Sequence, residues 1–314
     1  PYRRQRQMCI RDSVDSTDSF FDSFRNSYTG FDRWFARKCD EEAYICRSDN
    51  NKILGFLYLK TEDVSENYSD IEPPFSPKRR LKVGTFKVES TGFRLGERFV
   101  KIIFDNAQQR NVDEIYVTLF TDRGELVALE ELLYRWGFVY YGIKHNGGKE
   151  EKVLVKFLHK IIDNGTPKLN YPNISHLCNK YILPIMPQYH TTLLPDSQLN
   201  SENRIDFLGR EPHRYALQKV YISWASTNGA KPGDLILFYR MGLPGENKKY
   251  KSVISTIAIV DEIIENIGSE ENLLSLCQNR SVFSVDELKE FWRKHRYNLK
   301  ILKFIFVKLS LIHI

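Results

Sequence analysis

Between Leu81 and Phe120 the apolar period of the chain changes twice. Residues 81–88 (LKVGTFKV) read as a strand, and STGFRLGER follows as a glycine loop that opens a helix. Phe99, Ile102 and Ile103 then share one helical face, with Ala107 a turn later. Residues 114–120 (EIYVTLF) form an apolar run of β-branched and aromatic residues, again a strand.

The flanks extend this order. Residues 14–40 read as helix and turn, with Phe20, Phe21 and Phe24 on one helical face and Phe31, Trp34 and Phe35 in a second cluster. Residues 42–47 and 53–60 suit a hairpin around the turn SDNN. A helix over 126–136 is stopped by Gly137, and a strand pair over 138–143 and 152–157 closes around HNGG. Helix, hairpin, strand, glycine loop, helix, strand, helix and hairpin together make a mixed α/β sheet with one central crossover.

The two ends are set apart. RRQRQMCIRDS (3–13) is basic and follows neither a helical nor a strand period. Its codons can be written as a transposon-end sequencing adaptor, and those of LSLIHI (309–314) as the reverse complement of the same end. Residues 1–13 and 309–314 are therefore read as translated adaptor in a metagenomic fragment and left out of fold reasoning. Without Arg3, Arg4, Arg6, Arg11 and Asp12 the net charge falls from +6 to +3. The basic balance then argues less for a nucleic-acid partner. Cys9 goes too, leaving Cys39, Cys46, Cys178 and Cys277, with no C-x-x-C pair. Scattered cysteines suit a reducing, cytoplasmic setting, and no apolar run reaches membrane-spanning length.

The glycine loop has a chemical reading of its own. A diphosphate needs several N–H donors converging on it, and a strand-to-helix turn supplies them with a favourable helix dipole. Gly92 and Gly96 let the backbone come close, and Arg94 and Arg98 add positive charge. A plain tight turn before an amphipathic helix is the bland alternative.

The order of elements over 14–160, with LKVGTFKV, STGFRLGER, EIYVTLF and LLYRWGF, resembles the GNAT (Gcn5-related) N-acetyltransferase family. The resemblance covers roughly half the chain and implies the acyl-CoA N-acyltransferase fold, with acetyl-CoA as cosubstrate and no metal. It implies cofactor contacts from Phe86, Lys87 and Val88 of the strand, and from Gly92, Phe93, Arg94, Leu95, Gly96, Glu97 and Arg98 of the loop and helix start. The family's loop usually runs Arg or Gln, two residues, Gly, one residue, then Gly or Ala. Ending that pattern at Gly96 puts Thr91 at its first position and Arg94 where the middle Gly belongs. A tyrosine commonly stands four residues before the Gly of a Gly-Phe pair as the acid for the departing thiolate. Here Leu133 holds that place before Gly137-Phe138, and Tyr134 is one step, about 100 degrees, further round the helix. Tyr134 is thus either the acid or a half-exposed packing residue. Glu62 and Glu89 are candidate bases, each also readable as an ordinary surface carboxylate.

Residues 161–174 read as a linker, and 175–308 change character to short strands: 181–185, 220–223, 234–239 and 253–260. Helices over 271–278 and 285–295 follow, the second carrying the capping pattern Ser284-x-x-Glu287. A last strand over 301–307 is expected to have lost its partner to the adaptor. KPGDLILFY with YKSVISTIAIVDEI resembles a PUA-like domain of the ASCH or EVE kind, which implies a small β-barrel with helices that binds RNA or tRNA. Residues 161–308 hold 19 Lys and Arg against 15 Asp and Glu, a net of +4, while 14–160 hold 23 against 24. Tyr221, Trp224, Tyr239 and Arg240 are candidates for a stacking and phosphate-binding surface. His190 near Asp196, and His213, are read as structural rather than metal-binding.

The expectation is an acyl-CoA-dependent N-acyltransferase acting on a primary amine, fused to a module for substrate or RNA recognition. The alternative is a non-catalytic CoA- or RNA-binding protein, either one fitting a toxin–antitoxin or stress-response component. The acyl acceptor and the oligomeric state stay open.

Overall fold

The structure is a computed structural model. It describes residues 6–9, 14–48, 50–89, 94–120, 124–162, 165–175, 177–197, 215–225, 229–242 and 252–307. The chain forms mixed α/β structure in two compact units: residues 1–129 with 139–157, and residues 130–138 with 158–314.

In the first unit, β1 (Arg6–Cys9) precedes a 3-10 turn at Ser19–Phe21, α1 (Asp22–Ser27) and α2 (Phe31–Arg37). Next come β2 (Glu42–Arg47), β3 (Ile53–Glu62), the short β4 (Ile71–Glu72) and β5 (Arg80–Val88). Then follow α3 (Leu95–Gln109), β6 (Glu114–Phe120), α4 (Gly124–Arg135), β7 (Val139–Asn146) and β8 (Lys149–Phe157). The unit boundary falls within α4. The strands form one mixed sheet in the order β1-β2-β3-β5-β6-β8-β7-β4. The crossover is α3, which makes β5 and β6 parallel; the other neighbouring pairs are antiparallel.

β1 was not expected as a strand. Its backbone pairs with β2, Arg6 opposite Ile45 to Cys9 opposite Glu42. An open sheet edge accepts an extended segment through main-chain hydrogen bonds, so the pairing needs no apolar period in the added strand.

Alternation along β3 directs the packing. Phe56 and Tyr58 meet the aromatic cluster of Phe20, Phe21, Phe31 and Phe35 on one face. The Phe21 and Phe56 rings meet edge to face at 5.3 Å. Gly55 lies on the other face, where a Cβ would come within 2.5 Å of the Phe99 ring of α3. A glycine there lets the helix lie flat on the sheet, burying Phe99, Val100, Ile103 and Phe104. Each such side chain contributes roughly 1.5–3 kcal/mol. Residues 63–79 cover a third cluster, in which Tyr68, Ile71 and Phe75 pack on Tyr116, Val153 and Val155.

The second unit contains α5 (Pro167–Asn170), β9 (Lys180–Ile185), α6 (Pro187–Leu193) and β10 (Gln218–Ser223). β11 (Leu235–Arg240), β12 (Val253–Ile264), α7 (Glu270–Cys277), α8 (Val285–His295) and β13 (Lys300–Val307) complete it. The expected barrel is not what the described strands form. They make an open five-stranded sheet, β10-β13-β12-β11-β9, mostly antiparallel with β9 parallel to β11. Leu193, Leu194, Phe238 and Phe304 pack on one face; Ile222, Leu273, Leu288 and Ile301 pack on the other. The KPGD segment that suggested a barrel is a local device. Gly233 turns at φ +91, and the Asp234 carboxylate accepts from the Asn179 and Lys231 N–H groups, each at 2.9 Å. Such a turn feeds an apolar strand equally well in an open sheet.

A second expectation is corrected at β13. It lies between β10 and β12 and pairs with both. Its partners precede it in sequence, so periodicity alone could not assign them. Within the stretch read as a linker, the described residues 165–174 include α5, with Pro167 and Tyr171 buried.

Candidate functional site

The site is built where β5 and β6 part. Their parallel pairing runs only from Arg80–Val83 against Glu114–Val117. Beyond it β5 stays paired with β3 as far as Val88, and β6 with β8 as far as Phe120. The two strands thus turn facing edges to a gap in the middle of the sheet. The parting coincides with a bulge. Tyr58 of β3 stands opposite Thr85 and Leu59 opposite Val83, which leaves Gly84 as the extra residue. Gly84 is exposed, although Val83 and Thr85 beside it are buried. The Tyr58 ring borders it so closely that a Cβ at Gly84 would lie 2.7 Å from Cδ1. On the β6 side, Tyr28 lies 4.7 Å from Phe120.

A free strand edge can take up an extended amide-bearing arm. The unpaired N–H of a bulge can hold a carbonyl oxygen and its developing negative charge. An isolated glycine inside a strand pattern is the sequence signal for such a bulge, and LKVGTFKV carries it.

Back along β3 and β5 from the bulge lies a polar cluster that periodicity did not reveal. Glu62 is 2% exposed. Its carboxylate accepts from the hydroxyls of Tyr116 at 2.6 Å and Tyr68 at 3.2 Å. Lys60 lies 3.0 Å and Lys82 3.7 Å from Glu62 Oε1. Lys82 is two residues from Gly84, about 7 Å along the strand, whereas Glu62 stands opposite Arg80, four residues from Gly84, so Lys82 is the member of the cluster nearest the gap. Burial pushes the Glu62 carboxyl up, but the Tyr116 hydroxyl, Lys82 and Lys60 more than reverse this and hold it below the usual range. Burial brings Lys82 down, only partly opposed by Glu62. Glu62 is therefore a standing negative charge, suited to an ammonium group or an ordered water. Lys82 and Tyr116 complete the cluster, and neither stood among the sequence candidates.

Glu89 is placed elsewhere. Its N–H closes onto Leu54 O, and its carboxylate pairs with the exposed Lys52 at 2.8 Å. It stands five residues past Gly84, about 16 Å away along an extended strand. Tyr134 belongs to the second unit, is 37% exposed and donates to Glu130 Oε1 at 2.7 Å, one helical turn earlier.

The cofactor candidates also separate. Phe86 is buried against Phe99 at 5.7 Å, and Val88 pairs with Gly55. The Lys87 ammonium donates to Phe20 O and, at 2.9 Å, to Ser23 Oγ, which ties the N-terminal helices to the sheet. Gly92 and Phe93 lie outside the described residues. Arg94 stands at the N-cap of α3 with φ 54. That is the left-handed region, and it is the position where the family pattern has its middle glycine. Arg94 is paired with Glu97, and Arg98 is 7% exposed. The expected positive charge from these two arginines is therefore largely internal. What the helix start presents is the first-turn backbone of Leu95, Gly96 and Glu97, whose N–H groups precede the intrahelical ladder.

In the second unit the four stacking candidates differ in exposure, with Tyr239 half-buried. Trp224 is 47% exposed, whereas Arg240 is buried and Tyr221 packs 6.3 Å from Phe238. His190 is buried, with Nε2 2.6 Å from Ser255 Oγ, as a core histidine. His213 lies outside the described residues. Among the described residues no helix is long and apolar enough to cross a membrane.

No family model and no curated protein matches the sequence. Solved structures of GNAT acetyltransferases align with about half of the chain. A NatC complex bound to Gag peptide and CoA is 17% identical over 47% of this chain and 84% of that chain, with a TM-score of 0.28. Ard1 from Thermoplasma volcanium is 13% identical over 50% of this chain and 98% of its own, at 0.35. An N-acetyltransferase from Staphylococcus aureus Mu50 is 13% identical over 38% and 69%, at 0.29.

Proposed function

We propose that the first unit is an acyl-CoA-dependent N-acyltransferase, with acetyl-CoA as donor and a primary amine as acceptor. The observation that carries this reading is the exposed Gly84 bulge at the parting of β5 and β6. The donor's pantetheine arm would pair with the edge of β5 that faces the gap, along Phe86, Lys87 and Val88, and its diphosphate would meet the first turn of α3. The thioester carbonyl would then reach the bulge. There the Gly84 N–H would take the charge that develops as the amine attacks.

The amine must arrive neutral. Glu62 is held as a carboxylate, which makes it a weak base but a good anchor for an ammonium or for the water that removes its proton. Burial lowers the pKa of Lys82 beside it, so this lysine gives up its proton more readily than an ordinary one. The assembled step forms the C–N bond, breaks the C–S bond and passes the amine proton to water or to the departing thiolate. Recognition of an RNA-linked substrate is the role proposed for the second unit.

The test is a thermal shift with acetyl-CoA. The parent chain is expected to be stabilised at millimolar ligand, and Gly96→Asp to lose the shift, because it sets a negative charge at the helix start. No stabilisation of the parent chain sinks the reading. A shift without turnover of any amine would leave a CoA-binding protein instead.

A further inference from the structure

We infer that the second unit binds single-stranded nucleic acid on the surface formed by Trp224, His295, Arg296 and Tyr297. The inference rests on the recognition role proposed for that unit and is independent of acyl transfer in the first.

The surface is where three elements end together. β10 closes with Ser223 opposite Lys300 of β13, α8 ends at His295, and Asn298 Nδ2 donates to Trp224 O at 3.4 Å. Trp224 therefore stands just past a sheet strand, with its backbone held. The His295 ring lies against it at 4.4 Å and 7°, and Phe291 borders it at 5.8 Å. Even so, Trp224 is 47% exposed. Tyr297 is 88% exposed, and the Arg296 guanidinium lies 4.6 Å from its ring centre and donates to its hydroxyl.

Two exposed aromatic rings, each already in a stack, offer flat apolar faces that a base can extend. The charge matches a nucleic-acid backbone. The last turn of α8 carries Arg293, Lys294 and His295, with Arg296 next. Lys294 of this turn is paired with Glu290, and Glu265 pairs with Lys300; the charge offered to a phosphate is that of Arg296 with Arg293. Among the described residues no carboxylate pairs with Arg296. A duplex hides base faces, whereas a single strand shows both faces and phosphates, so the surface fits a single strand.

The test is fluorescence anisotropy of a labelled single-stranded RNA of about 12 nucleotides, within the usual site size, titrated with the full chain across a salt series. Trp224→Ala and Tyr297→Ala are each expected to weaken binding about 10-fold, while Trp224→Phe stays within about 3-fold. Arg296→Ala is expected to lower the log–log salt slope by about one. Tyr297 is so exposed that its alanine variant keeps the fold; if Trp224→Ala lowers stability, Tyr297→Ala and Trp224→Phe decide. Absence of binding at low salt overturns the inference. Equal affinity for the corresponding duplex, or alanine variants indistinguishable from the parent, also overturns it. Measuring the acetyl-CoA thermal shift on the same preparations separates the two readings: loss of strand binding alone leaves the acyltransferase intact, and the reverse also holds.

Discussion

Replacing Gly84 with alanine tests both the bulge and the gap beside it. In an ordinary strand the change would be neutral or would stabilise by about 0.4–1 kcal/mol, because alanine has less unfolded-state entropy to lose. Here the new Cβ would lie 2.7 Å from Tyr58 Cδ1 and 3.1 Å from Cε1. The ring cannot simply step aside. Its hydroxyl donates to Glu41, Lys38 lies 5.5 Å from its centre, and Trp34 meets it edge-on at 5.7 Å. The substitution must therefore shift a pinned ring or the bulge itself, and overpacking of this kind costs about 1–3 kcal/mol. Equilibrium urea denaturation at pH 7 measures it. The cost is expected to shrink in a Tyr58→Ala background, and the coupling in the double-mutant cycle identifies the ring as its source. A Gly84→Ala variant as stable as its parent, or an unchanged cost without the Tyr58 ring, would refute the close approach. The same variant is expected to reduce acyl transfer, since the bulge N–H moves.

Glu62→Gln removes the charge that binds Lys60 and Lys82, and a cost of about 2 kcal/mol at pH 7 is expected from the charge-assisted bonds lost. Because the folded carboxyl titrates below its unfolded value of about 4.3, that contribution is present above this pH and fades as pH falls through the folded pKa; urea midpoints at pH 7 and pH 3 that differ equally between parent and variant would contradict it. Lys156 is fully buried on β8, and burial lowers its pKa to about 7. The unfolded chain keeps that proton to about pH 10.4, so parent stability should rise by about 1.4 kcal/mol per unit between pH 8 and 10, a slope that Lys156→Met should flatten. Ser284→Ala removes one side of the capping box at the start of α8 and is expected to cost about 1 kcal/mol, read as a fall in urea midpoint.

Much of the local structure is legible without coordinates. The strand at 81–88, the helix after Arg94, the strand at 114–120 and α8 with its Ser284–Glu287 cap each follow from periods and caps confined to neighbouring residues. The gap was partly legible, since Gly84 interrupts a strand pattern. Glu62 was named as a candidate, but its setting was not, because Tyr116 lies 54 residues away and reaches it only across a folded sheet.

The sequence by itself determined where the main strands and helices lie, though not β1, β4, α5 or α6, and that a crossover joins β5 to β6, because side-chain period and caps act over a few residues. Only the tertiary structure decided the rest. Register placed Gly84 at a bulge, since pairing with β3 is a property of two strands. Ion pairing turned Arg94 inward, burial removed Arg240 from the surface, and β13 found partners on both sides in segments distant along the chain. The close of α8 beside the end of β10 brought Trp224 to His295, a meeting that 70 intervening residues hide from any local reading.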